Sequence, residues 1–284
     1  MIKENREGYS EYNIPEDWYK NRTHGVSAML RVGNEEEWIG SCLESILDFF
    51  DEIVITIECS DRTREIIETF DSSKINVYEY PFEINPNGPG HDEYPADSVH
   101  DRAYYYNWSL AQTTKTHVSK WDADMLMLPE YATEEFRQLV LQHNVVKMKG
   151  WEIVDEDFNY VSKTNPTTGK EVRFFEVNKR LHYKQGPLCE NFTYPNPYDI
   201  FNMPVRWLQR ARNVLTGNEF HVSDPTYLHT KHIKDSDKQA WPDNWEEMDH
   251  FQNINARKQP GDPLHVKVPE YCYRSPEDFL SSRE

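Results

Sequence analysis

The chain alternates short runs of apolar, mostly β-branched residues with stretches in which apolar residues recur every three or four positions. The short apolar run at residues 26–32 predicts a buried strand, the β-branched run at 53–57 predicts a second strand, and residues 75–80 predict a third. Between them, residues 38–47 and 66–70 carry apolar side chains at the spacing of one helix face. Strands and helices that alternate at this pace are typical of a parallel sheet with crossover helices, so the pattern predicts an α/β fold.

The rest of the chain adds elements of both kinds until periodicity fades beyond residue 186. The pattern predicts helices over 98–113 and 133–143, and strands over 117–121, 145–154, 171–178 and 225–233. Neither an internal repeat nor a low-complexity linker divides the sequence. We therefore predict one fold in three parts: an N-terminal arm at 1–23, a main domain at 24–234, and a C-terminal tail at 235–284 that packs on the same domain.

The composition is that of a globular protein with a large acidic excess. The 284 residues carry a formal net charge of −18. This charge argues against binding to nucleic acid or to an anionic membrane, since either partner requires a cationic surface. It would also repel a substrate that carries phosphate, unless a bound divalent cation offsets the repulsion locally.

Cysteine spacing and the absence of long apolar stretches indicate the compartment. The four cysteines, Cys42, Cys59, Cys189 and Cys272, lie far apart and match neither a zinc site nor a disulfide framework. The first residues have no apolar core of a signal peptide, and no stretch approaches the roughly 18 apolar residues of a membrane helix. We therefore expect a cytoplasmic protein without a transmembrane segment.

Asp122 and Asp124 form an Asp-x-Asp motif directly after the predicted strand 117–121. In an extended segment residues two apart point to the same side, so both carboxylates could reach one ligand. Two such close carboxylates repel each other unless a cation offsets their charge, and Mg²⁺ and Mn²⁺ favour carboxylate oxygens. A solvated loop is the alternative interpretation of this motif taken alone.

Other polar residues also follow predicted strands. Asn34 and Glu35 come after the first strand, and Glu58 and Asp61 come after the second. Parallel sheets bind ligands beyond the carboxyl ends of their strands, where these residues and the Asp-x-Asp motif would meet. The sequence thus predicts one polar edge assembled from residues that are far apart along the chain.

The order of these motifs resembles that of the nucleotide-sugar glycosyltransferases of the GT-A fold, most closely glycosyltransferase family 2. The matching positions are residues 31–36, 51–55, 60–63, 121–125, 129–130, 173–175 and 186–190, together with Arg102, Asn107 and His229. The resemblance covers about residues 25–140 most closely. It implies a Rossmann-like, mostly parallel central sheet flanked by helices, with an irregular C-terminal wrap.

The resemblance also implies a function and a set of site residues. The implied enzyme transfers a sugar from a nucleotide-sugar donor, with UDP favoured over GDP, to a hydroxyl group of a glycan or similar acceptor, with Mn²⁺ or Mg²⁺ as cofactor. It implies Asp122, Asp124 and His229 as metal ligands. The implied nucleotide-sugar-binding residues are Val32, Asn34, Glu35, Glu58, Asp61, Arg102, Asp122 and Ala123. Helix capping by Asp61 and a structural ion pair of Arg102 are the alternative roles of those two side chains.

An inverting transfer needs a base that takes the proton of the acceptor hydroxyl, and a carboxylate is the usual choice. Glu190 is the first candidate, on its resemblance to the family's catalytic carboxylate, and Asp155 is the second. Two other functions stay open at this point. One is a metal-dependent phosphoesterase, which needs two metal ions about 4 Å apart. The other is a non-catalytic carbohydrate-binding protein on the same fold.

Overall fold

The computed structural model describes residues 1–86, 88, 90–153, 171–186, 189–193, 219–230 and 268–281. Helices and strands alternate through the first half of the chain, as the apolar pattern predicts. The helices are α1 (Ile39–Ile46), α2 (Thr63–Ile67), α3 (Arg102–Gln112), α4 (Glu134–Leu141) and α5 (Pro276–Ser281). The strands are β1 (Thr23–Val32), β2 (Glu52–Ile57), β3 (Ile75–Glu79), β4 (Lys115–Trp121), β5 (Met125–Met127), β6 (Val145–Met148), β7 (Gly150–Glu152), β8 (Glu171–Glu176), β9 (His182–Lys184), β10 (Asn191–Thr193), β11 (Glu219–His221) and β12 (Tyr227–His229).

A seven-stranded sheet forms the centre of the described chain, in the order β11-β6-β8-β4-β1-β2-β3. β1 pairs in parallel with β2 and β4, β2 pairs in parallel with β3, and β11 pairs in parallel with β6. β8 is antiparallel to both of its neighbours, β4 and β6. The predicted fold class, an α/β fold with a mostly parallel central sheet as in the GT-A fold, is therefore confirmed. Because β8 runs in the opposite direction, its first residues lie at the edge where β4 ends.

Helices cover both faces of this sheet because successive residues of each strand point to opposite faces. On one face, Leu30 of β1 belongs to a cluster with Leu43 of α1 and Phe136 of α4. On the other face, Met29 belongs to a second cluster that contains Tyr104 of α3. β1 is thus buried on both sides, which explains why its sequence is a continuous apolar run rather than an alternating one.

Two predicted elements differ from the observed ones. The predicted helix 98–113 begins only at Arg102, because Asp101 caps it by accepting a 2.8 Å hydrogen bond from the backbone N–H of Tyr104. The predicted strand 145–154 is two strands, since β6 belongs to the main sheet and β7 to another. The chain changes sheets at Gly150, where a Cβ would overlap the ring of Tyr227. Glycine is therefore required at this crossing.

Two smaller sheets extend the edge where β4 ends. β12 lies between β5 and β7, antiparallel to the former and parallel to the latter. It is the observed part of the predicted strand 225–233, of which residues 231–233 lie outside the described residues. β9 and β10 form an antiparallel pair, which α3 contacts through Asn107. These two sheets bring residues from the last third of the sequence to the polar edge.

The ends of the chain pack on the helices. In the N-terminal arm, Ile14 and Trp18 are buried in the cluster that α3 forms. In the described part of the tail, the backbone carbonyl of Tyr271 accepts a 2.6 Å hydrogen bond from α1. The ring of Phe279 lies directly against Gly40 of α1, leaving no room there for a Cβ. No helix in the described ranges has the length and the apolar character needed to cross a bilayer.

Candidate active site

The Asp-x-Asp motif lies in a turn rather than in the extended segment that the sequence analysis assumed. β4 ends at Trp121, and the backbone N–H of Met125 donates a 3.0 Å hydrogen bond to the carbonyl of Asp122. The indole N–H of Trp121 donates a 2.9 Å hydrogen bond to the carbonyl of Met125, so the last residue of β4 is bound to the residue that follows the turn. Because the backbone reverses here, Asp122 and Asp124 contact different partners.

Asp122 is held between two arginines. Its Oδ1 lies 2.6 Å from a guanidinium nitrogen of Arg31, and its Oδ2 lies 2.9 Å from one of Arg173. Both arginine side chains are almost fully buried, whereas the carboxyl group of Asp122 is 32% exposed. Arg173 comes from the start of β8, so the antiparallel strand is what places the second arginine beside the turn. The carboxylate is therefore fixed in direction while one side still faces solvent.

The surrounding cations determine the charge state of Asp122. Burial alone would raise the pKa of this carboxyl, but Lys120, Arg173 and Arg31 together hold the pKa well below its ordinary value. The same burial acts against the charge of Lys120, yet Asp122 and other neighbours raise the pKa of this ammonium group above its ordinary value. Both side chains are thus charged at neutral pH.

Asp124 lies on the other side of the turn, beside His229 of β12. Its Oδ1 is 3.6 Å from Nε2 of His229, and its backbone carbonyl accepts a 2.9 Å hydrogen bond from the backbone N–H of Thr230. Both side chains are largely buried. The pairing of β12 with β5 thus brings a histidine more than a hundred positions away in sequence next to the Asp-x-Asp turn.

The Asp124–His229 pair has the chemistry and the spacing of two ligands to one divalent cation. Two donor atoms bound to one octahedral ion at about 2.1 Å lie about 3 Å apart, close to the observed separation. In addition, Nδ1 of His229 is buried and has no hydrogen-bond partner among the described residues. The described residues contain no group of three or more metal-binding side chains. Such a site needs substrate phosphates and water to complete it, as Mg²⁺ and Mn²⁺ sites commonly do.

Glu190 lies on the same edge, next to Lys120. Its Oε1 accepts a hydrogen bond from Nζ of Lys120 at 3.2 Å, and its side chain is only 8% exposed. Nζ of Lys120 also lies 5.4 Å from the centre of the Tyr106 ring, on which the Arg31 guanidinium stacks at 4.2 Å. The ring of Tyr183 meets the same Tyr106 ring edge-on at 5.1 Å. Tyr106 thus joins the Glu190 side of the site to the Asp122 side.

The turns that follow β1 and β2 are fastened to each other. The side-chain oxygen of Asn34 accepts a 2.7 Å hydrogen bond from the backbone N–H of Ser60. The backbone N–H of Glu35 donates to the hydroxyl of Thr63 at 2.8 Å. Asp61 accepts backbone N–H groups from both turns, with one oxygen bound to that of Thr63 at the start of α2. These contacts hold Asp61 between the two turns, just before α2, and its contact with a nucleotide stays a prediction.

The remaining predicted residues occupy different surroundings. Val32 and Ala123 are buried, while Glu58 is exposed just beyond the end of β2. The guanidinium of Arg102 donates to the backbone carbonyl of Asn85 at 2.9 and 2.6 Å. Arg102 therefore holds the chain at Asn85 in place, and the arginines that pair with Asp122 are Arg31 and Arg173. Asp155 lies outside the described residues.

Sequence analysis did not single out Arg31, Lys120 and Arg173 as partners of the acids. A signal was present for the first two, because each interrupts a run predicted as a buried strand. A buried charge is costly unless it is paired, so such a residue points to a nearby acid. Nothing local marked Tyr106 or Tyr183, whose positions depend on how α3 and β9 pack.

No family model matches the chain. Among solved structures, the chain is similar to glucosyl-3-phosphoglycerate synthase from Mycobacterium tuberculosis in complex with Mn²⁺ and UDP-glucose. The two are 20% identical, and the match covers 49% of this chain and 46% of that chain at a TM-score of 0.26. The same synthase with Mn²⁺, UDP and glucosyl-3-phosphoglycerate matches at 20% identity over 50% of this chain and 47% of that chain, with a TM-score of 0.27.

A further similar structure is 4-diphosphocytidyl-2C-methyl-D-erythritol synthase from Anaerococcus prevotii. It is 12% identical over 73% of this chain and 89% of that chain, with a TM-score of 0.34. The match to the mycobacterial synthase spans less than half of that protein's length. Since all three TM-scores are below 0.5, we assign the fold class from the strand order and infer the function from the site residues.

Proposed function

We propose that this protein is a metal-dependent glycosyltransferase that moves a sugar from a nucleotide-sugar donor, with UDP favoured, to a hydroxyl acceptor with inversion. The observation that carries the proposal is the pairing of Asp124 with His229 on the same edge as the buried carboxylate of Glu190. Asp124 and His229 together suit a cation that binds phosphates, and the carboxylate of Glu190 suits a base.

Asp124 and His229 are the residues that would hold the cation. When bound, Mn²⁺ or Mg²⁺ would offset the negative charge of the donor's diphosphate and of the departing nucleoside diphosphate. This local positive charge is required because the protein carries a net charge of −18. Asp122, whose side chain is 32% exposed, would orient the ribose or a water molecule. Arg31 and Arg173 fix the direction of its carboxylate.

The fastened turns after β1 and β2 would form the wall that receives the nucleotide. Their backbone positions are set by the contacts of Asn34, Glu35 and Asp61, so the backbone at Val32 and the exposed side chain of Glu58 would line a preformed surface. A preformed wall reduces the entropy lost when the donor binds. The proposal thus gives Asp61 a supporting role rather than a direct contact with the nucleotide.

Glu190 would act as the base. It would take the proton from the acceptor hydroxyl while that oxygen forms a bond to the anomeric carbon. The bond between this carbon and the phosphate oxygen breaks, and the nucleoside diphosphate leaves with the electron pair. Oε2 of Glu190 is buried and has no hydrogen-bond partner in the described part of the chain, which suits an oxygen that waits for a proton. Asp155 is the second candidate for this role.

Incubation with a panel of UDP- and GDP-sugars and Mn²⁺ tests the proposal, with chromatography of the products. A glycosyltransferase releases nucleoside diphosphate, a nucleotidyltransferase acting in reverse consumes pyrophosphate, and a phosphoesterase releases monophosphate. We expect UDP, and we expect UDP with Mn²⁺ to raise the melting temperature more than GDP does. Unchanged donors and an unchanged melting temperature with every nucleotide would contradict the proposal and favour a non-catalytic carbohydrate-binding protein.

A further inference from the structure

Several buried polar atoms of the site have no hydrogen-bond partner among the described residues. These atoms are Nε of Arg31, Nε of Arg173, the hydroxyl of Tyr183, Oε2 of Glu190 and Nδ1 of His229. A buried polar group without a partner lowers stability, so proteins keep few of them without a reason. These five belong to side chains that also form the ion pairs and ring contacts of the site, which indicates groups that are kept for a ligand.

Two of these atoms belong to neighbouring segments and have complementary chemistry. Tyr183 lies in β9 opposite Phe192 of β10, and Glu190 directly precedes β10. Tyr183 packs edge-on against Tyr106, over whose ring lies the ammonium group of Lys120 that binds Glu190. The hydroxyl of Tyr183 can donate or accept a hydrogen bond, whereas the carboxylate oxygen can only accept one.

The charge of the surroundings indicates what kind of group would satisfy both atoms. Three cations, Arg31, Lys120 and Arg173, are paired here with three acids, Asp122, Glu190 and Glu171, so neither an anion nor a cation finds an excess of opposite charge among these side chains. Burial raises the pKa of Tyr183 to about 12 although Lys120 and Arg31 oppose the shift, so its hydroxyl is neutral. Neutral hydroxyl groups, which both donate and accept, match this pair of atoms.

We propose that Tyr183 is an acceptor-binding residue that holds a second hydroxyl of the acceptor, adjacent to the hydroxyl whose proton Glu190 takes. This inference rests on the proposed glycosyltransferase function and names its acceptor class: a sugar or other polyol with neighbouring hydroxyl groups, rather than an alcohol with one. A site built to bind a hydroxyl discriminates strongly against the analogue that lacks it, because the buried group then stays unpaired.

Replacement of Tyr183 by phenylalanine tests the assignment, because it removes only the hydroxyl. Wild type and Tyr183→Phe are assayed for UDP release from UDP-sugars with methyl glycosides and with their monodeoxy analogues. For the wild type, we expect kcat/KM to fall for the analogue that lacks the bound hydroxyl. In Tyr183→Phe, kcat/KM for the full glycoside should fall about tenfold relative to the wild type. For the analogue that lacks the bound hydroxyl, the variant and the wild type should have the same kcat/KM.

Tyr80→Phe is the matched control, since the hydroxyl of Tyr80 is buried and donates a 2.9 Å hydrogen bond to the carbonyl of Val99. Its loss should lower the melting temperature and leave acceptor kinetics unchanged, whereas Tyr183→Phe should not lower the melting temperature. Equal kcat/KM values for Tyr183→Phe and wild type with every acceptor would overturn the assignment of Tyr183. If wild type itself releases no UDP from any donor, the proposed function fails and this inference fails with it.

Discussion

The substitution Glu190→Gln separates the proposed base from the residues that bind the donor. Glutamine has the size of glutamate and keeps an oxygen for the 3.2 Å hydrogen bond from Lys120. It cannot take a proton, and it places an amide where Oε2 lies buried without a hydrogen-bond partner among the described residues. The change therefore removes the chemistry that we assign to this position and retains most of the packing.

The expected loss follows from the usual contribution of a general base. Such a base accelerates reactions on the order of 10²–10⁴-fold, which corresponds to about 2.7–5.4 kcal/mol of activation free energy. We expect kcat to fall by this factor and donor binding to stay nearly unchanged, because Glu190 binds Lys120, which is not one of the residues proposed to hold the cation. Asp155→Asn should have a smaller effect.

Steady-state UDP release gives kcat, and a UDP titration followed by thermal shift gives donor-site binding. Glu219→Gln is the matched control, because Glu219 is likewise a largely buried glutamate paired with a lysine, Lys147, at 2.5 Å. The control should lower stability and keep kcat. Wild-type turnover in Glu190→Gln with a large loss in Asp155→Asn would transfer the role of base to Asp155. Activity retained in both variants would refute an inverting mechanism that uses either carboxylate.

Three other predictions concern the metal, the tail and pH. A chelator should abolish activity and Mn²⁺ should restore it. Asp124→Asn should lose most activity, while its melting temperature without metal stays near that of the wild type. Full turnover of this variant in metal-free buffer would contradict the assignment of Asp124 as a ligand of the cation. Phe279→Ala should lower the free energy of unfolding by about 3 kcal/mol in denaturant titrations, because a side chain that is 6% exposed leaves a cavity against α1, whereas the exposed Tyr273→Ala should change it little. Burial lowers the pKa of His117 although Glu176 opposes the shift, so the unfolded state takes up a proton below about pH 6.5 and the folded state resists it. Stability is therefore lost as pH falls through this range, and His117→Gln should lose less melting temperature between pH 7.5 and 5.5 than the wild type; equal losses would show that other groups dominate.

The strands and helices of the first half were predictable because burial on both faces leaves a simple sequence pattern. β1 and β2 carry such apolar runs, whereas β3 at the sheet edge is only half-buried, and each of the three observed strands lies within a few residues of its predicted range. Parallel strands that alternate with helices place their carboxyl ends at one edge, so the edge that carries Asp122 and Asp124 was predictable from element order alone.

Tertiary structure alone decided which side chains meet at that edge. The ion pairs of Asp122 join residues 91 and 51 positions apart. Arg31 reaches it because β1 lies parallel beside β4, and Arg173 reaches it because β8 enters the sheet antiparallel on the other side of β4. Arg102, which the resemblance implies as a nucleotide-sugar-binding residue, donates from the first turn of α3 to the backbone carbonyl of Asn85, a contact that no local pattern indicated. A sequence pattern reports the environment of each residue along its own helix or strand. The partner of a charged side chain depends on strand order and direction, which arise from the packing of the whole sheet.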